Sequence, residues 1–360
     1  MKFTALTRFF NPRRNHFGLD IGNGNIKIVE VQHQSDKPLL TVVSQAPMPV
    51  DIYRDGQILD QRALADKIRE VVSKGGVSTP RCVFAVEGQH IVNRFLSFPA
   101  MTKAEVLEVV KWDAEKYIPY PLEACYLDVI ILEPVSEAKD MCVLLVAATK
   151  EIIDTHVETL LKAELTPVGI DFGALALGRT FMGKESHHTT VILDIGASST
   201  KMTFFRGSTM SFSRTMPFGG KRITKVIQDV LKISWDEAEA YKIGRTNLLQ
   251  TDGLDSDNAT AVRSVLQLSV KDLKREIQRS LEYYRTQNRG EVLENILFTG
   301  GGALLPGLSD ALLTDLALHV LPADLTTVVE AGPAFDKKFL QCVSPLYGTA
   351  LGLAVWEESL

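Results

Sequence analysis

Cysteine is scarce in this chain of 360 residues, and the four cysteines stand far apart. Cys82, Cys125, Cys142 and Cys342 form no CxxC pair, and their spacing suits neither a zinc site nor a disulfide framework. Isolated thiols of this kind are expected in a reducing cytoplasm. The sequence therefore disfavours both the secreted disulfide-rich class and the zinc-binding class of protein.

An excess of positive charge and long apolar runs are also missing. The 39 Lys and Arg residues are outnumbered by 44 Asp and Glu residues, which disfavours a surface built to hold nucleic acid. The apolar run at 143–148 is far shorter than the roughly 20 residues that cross a bilayer. We therefore expect neither a nucleic-acid partner nor a membrane-spanning helix.

The first 16 residues carry Lys2, Arg8, Arg13 and Arg14 and no acidic residue. They lack an uninterrupted apolar stretch and a cleavage site, so they do not predict a secretory signal. Two interpretations stay open. The segment is either an amphipathic element that docks on an anionic membrane or a partner, or a frayed terminal segment.

The most informative feature is an internal repeat. Residues 19–27 read LDIGNGNIK and residues 193–201 read LDIGASSTK, with five of nine positions identical. Apolar, β-like stretches flank each copy, so each predicts a strand, a tight turn of small residues and a second strand. A chain of this length favours two lobes, and the repeat suggests that each lobe carries one copy of the hairpin.

The turns have the composition of an anion-binding loop. Small residues leave backbone N–H groups accessible to a phosphate, and a lysine follows each turn. Asp20 and Asp194, which precede the turns, would repel a bare phosphate. A divalent cation would resolve that conflict, because Mg²⁺ commonly bridges one or two carboxylates and the phosphates of a substrate. The pattern therefore predicts a metal-bound polyphosphate, although a single copy would be no more than an ordinary β-turn.

Two further motifs contain glycine. A buried strand at 295–298 leads into Thr299 and three glycines, which would permit close approach of a flat ligand or form an exposed loop. A second segment, 218–224, reads FGGKRIT and opens a helix. It is followed by Glu239 and Lys242, which share a helix face and would otherwise be an exposed surface pair.

These four elements, in this order, resemble the motifs of the actin-like ATPase superfamily. DIGNGNIK and DIGASSTK resemble its two phosphate motifs, TGGGALLPG its adenosine motif, and residues 344–354 its second connecting helix. The resemblance implies an α/β protein with a two-lobed actin-like ATPase fold, made of duplicated ribonuclease-H-like domains. It also implies that ATP and Mg²⁺ bind between the lobes.

The resemblance carries roles onto particular residues. Asp20 and Asp194 would position hydrated Mg²⁺. The phosphates would be held by Gly22, Asn23, Gly24, Asn25 and Lys27 in the first copy and by Gly196, Ala197, Ser198, Ser199, Thr200 and Lys201 in the second. The nucleoside would be framed by Gly219, Gly220, Glu239, Lys242, Gly300, Gly301 and Gly302.

The segment between the phosphate motifs narrows the family. It predicts strands at 83–86, 91–98, 126–132 and 141–148, with a helix that begins in a capping box at Thr102 and a second helix after 148. This is similar to the α+β insertion of FtsA. The strings FPAMTKAEVLEVVKWDAEKYIPYPLE and VLLVAATKEIIDTHVETLLKAELTPVGID resemble the PilM family of type IV pilus assembly ATPases.

The PilM resemblance implies a partner and a location. The partner would be a PilN-type inner-membrane protein, whose cytoplasmic N-terminal tail would fill a groove beside the insertion. Other platform proteins, assembly ATPases and self-association are implied more weakly, and the protein would lie on the inner face of the inner membrane. Trp112, Tyr117 and Tyr120 would either line such a groove or belong to the core.

The resemblance also implies domain bounds. The segment 1–16 would stand apart, and 82–165 would be the insertion of the first lobe. The first lobe would contain 17–81, 166–188 and 343–360, and the second lobe 189–225 and 295–342, with a helical subdomain at 226–294.

The residue that would activate water for hydrolysis is not evident. Ser198 replaces a glycine found in many relatives, and Lys201 replaces the histidine of actin. Asp194 and Asp171 are the catalytic candidates, but Asp171 equally suits the N-cap of the helix that follows it. We therefore expect at most a slow ATPase that regulates conformation.

Two other functions stay open. An FtsA-like, membrane-tethered polymer of cell division would be expected to end in a basic amphipathic helix, whereas residues 353–360 are short and acidic. A small-molecule kinase of the same superfamily would need a second substrate site with a catalytic Asp, which the sequence does not reveal.

Overall fold

The computed structural model describes residues 15–34, 37–88, 90–132, 140–183, 188–245, 257–289, 291–313, 316 and 318–357. The predicted segment 1–16 lies outside these residues except for Asn15 and His16. The chain is an α/β protein that divides into two compact units. Unit 1 contains Met1–Thr180, Val328–Phe335 and Thr349–Leu360, and unit 2 contains Phe181–Thr327 and Asp336–Gly348.

The strands alternate with helices along the chain. In chain order they are β1 (Phe17–Ile21), β2 (Asn25–Gln32), β3 (Leu39–Pro47), β4 (Tyr53–Arg54), β5 (Gln57–Ile58), β6 (Arg81–Val86), β7 (Ile91–Phe98), β8 (Cys125–Ile131), β9 (Met141–Thr149), β10 (Thr166–Phe172), β11 (Thr189–Ile195), β12 (Thr200–Arg206), β13 (Thr209–Met216), β14 (Leu293–Thr299), β15 (His319–Pro322) and β16 (Glu330–Ala331).

The helices have the following bounds. They are α1 (Gln61–Gly75), α2 (Lys103–Trp112), α3 (Ala114–Tyr117), α4 (Lys150–Lys162), α5 (Gly173–Phe181), α6 (Gly220–Leu231), α7 (Trp235–Arg245), α8 (Asp257–Gln287), α9 (Leu308–Leu313) and α10 (Lys337–Ala354), with short 3-10 helices at Leu122–Ala124, Gly301–Leu304 and Leu325–Thr327. Across the described ranges, no helix combines the length and the apolar character needed to cross a bilayer.

Unit 1 is built on a six-stranded sheet in the order β10-β6-β1-β2-β3-β16. β1 pairs with β2 in the antiparallel direction and with β6 in the parallel direction, and β6 pairs in parallel with β10. Helices α1 and α4 contribute Leu64, Ile68 and Ile153 to the core on one face. On the other face α10 lies directly on β1, since a Cβ at Gly18 would come within 1.9 Å of the Ala350 carbonyl oxygen.

A three-stranded antiparallel sheet, β7-β9-β8, forms the separate core of the predicted insertion together with α2. Its central strand β9 reads as a continuous apolar run because most of its residues are buried. The capping box at Thr102 is confirmed, since the hydroxyl accepts from the Glu105 N–H and the Glu105 carboxylate accepts from the Thr102 N–H. β6 lies at the start of the predicted segment 82–165, but it pairs with β1 in the six-stranded sheet. The predicted domain bounds stay a prediction.

Unit 2 contains a five-stranded sheet in the order β13-β12-β11-β14-β15. Strands β11, β12 and β13 are antiparallel, and β14 runs parallel to β11. The long helix α8 covers this sheet through Leu273, Ile277 and Leu281, which are spaced three to four residues apart and share one helical face. Each unit therefore places its copy of the repeat at the centre of a sheet.

Candidate functional site

The first turn of the repeat, Gly22–Asn25, joins β1 to β2. The Gly22 N–H donates to the Asn25 carbonyl oxygen at 3.0 Å, which closes the turn. The antiparallel register places Asp20 opposite Lys27 across the two strands. The Lys27 ammonium lies 2.9 Å from the Asp20 carboxylate, and the two side chains are only 14% and 13% exposed. The structure therefore brings a predicted metal ligand and a predicted phosphate ligand together.

This pair suits a metal–phosphate complex. A metal cation would approach the Asp20 carboxylate, and a phosphate would approach the Lys27 ammonium. Each charged side chain would then face a ligand of opposite charge. The turn itself is anchored from outside. The Met48 N–H donates to the Gly24 carbonyl oxygen at 2.9 Å, and the Asp55 N–H donates to the Asn23 side-chain oxygen at 2.7 Å.

The second turn, Gly196–Ser199, joins β11 to β12 with the same geometry. The Gly196 N–H donates to the Ser199 carbonyl oxygen at 2.9 Å, and Asp194 stands opposite Lys201. The prediction of two strand–turn–strand units, one in each half of the chain, is confirmed. The repeated sequence therefore forms the same main-chain hydrogen bond in each turn and places an aspartate opposite a lysine in each hairpin.

The segment Gly219–Gly220 packs directly against the second turn. The Gly220 N–H donates to the Gly196 carbonyl oxygen at 3.0 Å, and the Lys221 N–H donates to the Ala197 carbonyl oxygen at 2.8 Å. A Cβ at Gly219 would lie 2.5 Å from that same Ala197 oxygen, so only glycine fits there. The start of helix α6 is therefore held against the turn by main-chain bonds.

The glycine run after β14 packs against the metal-ligand candidate of unit 2. Gly300 has a φ of +83°, and a Cβ there would lie 2.4 Å from an Asp194 carboxylate oxygen. A Cβ at Gly302 would lie 2.2 Å from the Ile195 side chain, whereas at Gly301 the nearest atom is 3.6 Å away. Two of the three glycines are therefore required by close contact, and they bring the predicted nucleoside loop beside Asp194.

Glu239 and Lys242 form part of a compact polar cluster instead of an exposed surface pair. The Lys242 ammonium lies 2.7 Å from the Glu239 carboxylate and donates to the Thr224 hydroxyl at 2.9 Å. The Thr224 hydroxyl in turn donates to Glu239 at 2.5 Å. The Lys242 ammonium also reaches the Gly220 carbonyl oxygen at 3.4 Å, so this cluster adjoins the glycines beside the second turn.

Asp171 is held by two partners within unit 1. It lies in β10, where one carboxylate oxygen accepts from the Phe172 N–H at 2.7 Å and the other pairs with Arg179 at 2.8 Å. Arg179 also donates to the Gly352 carbonyl oxygen. The carboxylate accepts from the residue next to it and not from the first turn of α5 further on, so the interpretation as a simple N-cap is wrong.

Sequence reasoning missed Glu87 and Tyr53. Glu87 directly follows β6, and Tyr53 is buried in β4. Burial, and then the negative charges of Glu87, Asp20 and Asp55, raise the pKa of Tyr53 well above its usual value. The signal for Glu87 was a carboxylate at the end of a buried strand, but its proximity to Asp20 depends on strand order.

The aromatic residues near the predicted partner groove divide into two groups. Trp112 is 88% exposed at the end of α2, whereas Tyr117 and Tyr120 pack partly buried on the core of the insertion. Assignment of Trp112 to the core is therefore wrong. Val106 and Val110 face the core, and a residue two positions after Val110 points about 200° away from it around the helix.

The residues present fit a hydrated magnesium ion with a nucleotide. Within the described ranges, no three or more acidic, histidine or cysteine side chains cluster as a complete protein-made metal site. Mg²⁺ does not need one, because it commonly uses one or two carboxylates, waters and substrate phosphates. Asp20 and Asp194 each supply one carboxylate beside the turn of their own unit.

Comparisons with known proteins give one family model and several more distant relatives. The family model described as type IV pilus assembly protein PilM matches residues 18–358. Cell division protein FtsA of Bacillus subtilis (strain 168) is 21% identical over 383 residues, which cover 95% of this chain and 83% of that protein. FtsA of Streptococcus pneumoniae serotype 2 is also 21% identical, over 81% of this chain and 71% of that protein.

Solved structures give the same result. A structure described as a PilM-PilN type IV pilus biogenesis complex is 30% identical with a TM-score of 0.84, covering 96% of this chain and 98% of that chain. MreB5 of Spiroplasma citri bound to AMPPNP is 14% identical with a TM-score of 0.52, covering 89% and 93%. The second likeness shows the actin-like fold alone. On the match over 18–358, the chain belongs to the PilM family of type IV pilus assembly proteins.

Proposed function

We propose that this protein is the nucleotide-binding component of a type IV pilus inner-membrane assembly platform, with ATP and Mg²⁺ as its ligands. The observation that carries the proposal is the pair of matched turns, each with a carboxylate opposite a lysine. Family membership supports the pilus role. The MreB5 structure with AMPPNP is a nucleotide complex on the same fold, which is consistent with a nucleotide here.

The residues divide the work between phosphates and nucleoside. The backbone of the two turns and Lys27 would hold phosphate oxygens, and Asp20 and Asp194 would hold a hydrated metal. Gly300–Gly302 and the cluster of Glu239 and Lys242 would contact the nucleoside. When bound, Mg²⁺ supplies positive charge that offsets the triphosphate. Lys27 and Asp20, which pair with each other in the structure, would then face the phosphate and the metal, respectively.

The proposed partner is the cytoplasmic N-terminal tail of a PilN-type inner-membrane protein. The similar solved structure is a PilM-PilN complex, which supports this assignment. Trp112 offers an exposed aromatic anchor beside the insertion, and tryptophan is among the residues enriched at binding hot spots. Such a partner would hold the protein at the inner face of the inner membrane, where nucleotide would regulate the contact with PilN and with other platform proteins, assembly ATPases or further copies.

Isothermal titration of a PilN-type N-terminal peptide, with and without ATP and Mg²⁺, tests the proposal. We expect binding in at least one condition and a difference in affinity of severalfold or more between the two. Trp112→Ala should weaken peptide binding by at least tenfold, which corresponds to about 1.4 kcal/mol. Phe339→Ala removes another exposed aromatic side chain, from unit 2, and should leave the affinity unchanged.

No peptide binding in either condition would contradict the partner assignment but not the nucleotide site. No ATP binding at millimolar concentration would contradict the nucleotide assignment. The FtsA relatives, at 21% identity, keep a membrane-tethered polymer as a second candidate. ATP-dependent sedimentation together with vesicles, in the absence of any PilN-type peptide, would favour that candidate.

A further inference from the structure

Three neighbouring parallel strands of unit 1 carry carboxylates at their C-terminal ends. The strand order is β10-β6-β1, with Asp171 on β10, Glu87 directly after β6 and Asp20 on β1. Leu19 pairs with Phe84 in parallel register, so three residues further on Gly22 of the first turn lies level with Glu87. In α/β sheets, ligands bind outside the carboxyl ends of such strands.

Glu87 and Asp20 lie on the same side of this sheet. A Cβ built on Gly173, the first residue of α5, would come within 2.0 Å of a Glu87 carboxylate oxygen. Side chains alternate between the two faces of a strand, so Asp20 points to the same face as Gly18, two residues earlier. Gly18 packs on helix α10. Both helices cover one face, because Ala176 of α5 and Leu353 of α10 share a core cluster with Val83 and Ala85. The two carboxylates therefore share one edge and one face.

The charges that act on Tyr53 agree with this arrangement. Tyr53 is buried, and after burial the charges of Glu87 and Asp20 contribute most to the rise of its pKa. Glu87 and Asp20 thus act on the same phenol, in agreement with their position at one edge of the sheet.

The backbone around Glu87 is fixed by the approach of two glycines. A Cβ at Gly56 would lie 1.8 Å from the Glu87 carbonyl oxygen, and a Cβ at Gly88 would lie 2.0 Å from the Asp55 carbonyl oxygen. Both glycines have positive φ values, +87° and +112°. Asp55 is itself bonded to Asn23 of the first turn, so the position of Glu87 is coupled to that turn. Pre-organisation of this kind is what a catalytic group requires.

Asp171, on the third strand, is already held by two partners. Its side chain is 8% exposed, pairs with Arg179 and accepts from the Phe172 N–H. Of the three carboxylates, Asp20 is the proposed metal ligand and Asp171 is paired with Arg179, whereas the Glu87 carboxylate lies against the first residue of α5.

We propose that Glu87 is the general base of a slow ATP hydrolysis in this protein, an inference that rests on the proposed nucleotide site. The Glu87 carboxylate accepts a proton from a water molecule while the water oxygen forms a bond to the γ-phosphorus. The bond from that phosphorus to the oxygen bridging the β- and γ-phosphates breaks, and ADP leaves with the electron pair. Phosphate is the second product, and Glu87 later returns its proton to solvent.

The test compares Glu87→Gln with wild-type protein in two measurements. In single-turnover hydrolysis of radiolabelled ATP, the rate should fall by about 10²- to 10⁴-fold, the usual contribution of a general base. In titrations with ATP and with ADP, the variant should bind ATP about threefold or more tightly relative to ADP. The reason is that a negative charge facing the γ-phosphate has been removed.

Two further variants make the result specific. Glu151→Gln removes an exposed carboxylate from α4 of the same unit and should change neither measurement. Asp171→Asn tests the competing carboxylate, and thermal melting of each variant checks that it is folded. Loss of hydrolysis in Asp171→Asn but not in folded Glu87→Gln would overturn the inference, as would an unchanged ATP-to-ADP affinity ratio in Glu87→Gln.

Failure of the two proposals can be distinguished. Wild-type protein that binds no ATP would remove the proposed function itself. Wild-type protein that binds ATP but hydrolyses none over many hours would contradict only the role of Glu87.

Discussion

The two turns have the same internal bond and the same carboxylate–lysine register, but they are surrounded by different groups. The first turn is anchored by the Met48 and Asp55 N–H groups and lies beside Glu87 and Tyr53. The second turn is anchored by the start of helix α6. Beside it, Asp194 contacts the glycine run that begins at Gly300.

This difference suggests that the two copies of the repeat have different roles. The repeat fixes only the local backbone, which suits a phosphate in either unit. The segments that follow decide the rest, because unit 1 adds carboxylates at neighbouring strand ends and unit 2 adds a glycine run packed on Asp194, to which we assign the nucleoside. We therefore expect changes in unit 2 to act on nucleotide binding and changes near Glu87 to act on hydrolysis.

The largest expected effect is that of Gly300→Ala. A Cβ there would overlap Asp194 and the Ile195 carbonyl oxygen at a positive φ, so we expect the free energy of unfolding to fall by about 2–4 kcal/mol. ATP affinity should fall by tenfold or more. Gly301→Ala, where the nearest atom is 3.6 Å away, is the matched control for stability. Equal losses of stability in the two variants, measured by urea denaturation, would contradict the role of close contact.

Lys242→Met should have the next largest effect on stability. It leaves Glu239 and Thr224 without their cation in a partly buried cluster, which costs about 1–3 kcal/mol. Urea denaturation measures this loss. The counterpart in unit 1, Lys27→Met, should lower ATP affinity more than it lowers stability, because we assign Lys27 to phosphate. If Lys242→Met and Lys27→Met showed the same ratio of lost ATP affinity to lost stability, the proposed difference between the two lysines would be wrong.

Asp20→Asn and Asp194→Asn test the symmetry of the metal site. Each should lower the magnesium-dependent part of ATP affinity by about tenfold, equivalent to about 1.4 kcal/mol. Titrations with ATP in the presence of Mg²⁺ and in the presence of a chelator separate that part from direct phosphate binding. A magnesium dependence that survives both substitutions would show that the carboxylates do not hold the metal.

The smallest expected effect is a pH dependence confined to unit 1. His156 is buried, and its Nδ1 is hydrogen-bonded to the Ile152 carbonyl oxygen, whereas its Nε2 lacks a hydrogen-bond partner. Burial lowers the pKa of His156 below the usual 6.5. The unfolded chain therefore binds a proton that the folded chain does not, so stability falls as the pH drops below about 6.5. Melting at pH 7 and pH 5 should show a smaller decrease for His156→Gln than for wild type. His319→Gln, an exposed histidine of unit 2, should retain the wild-type decrease.

Local features of the fold could be predicted well from the sequence. The strands β6 to β9, the capping box at Thr102 and the two turns follow from apolar patterning and small-residue turns, which act over a few residues. The exposure of Trp112 was harder to predict, because its side of the helix is decided by which face packs on β8 and β9. Lys242 was harder still, since its partner Thr224 is 18 residues away.

By itself, the sequence determined the repeated backbone geometry, the residues opposite one another across each hairpin and the family of the protein. Only the tertiary structure decided that Glu87 lies near Asp20, that Arg179 neutralises Asp171 and that Gly300 touches Asp194. The physical reason is range. Hairpin register is set by bonds between residues a few positions apart, whereas these contacts depend on which strands are neighbours in a sheet, and strand order is fixed by the burial of whole faces.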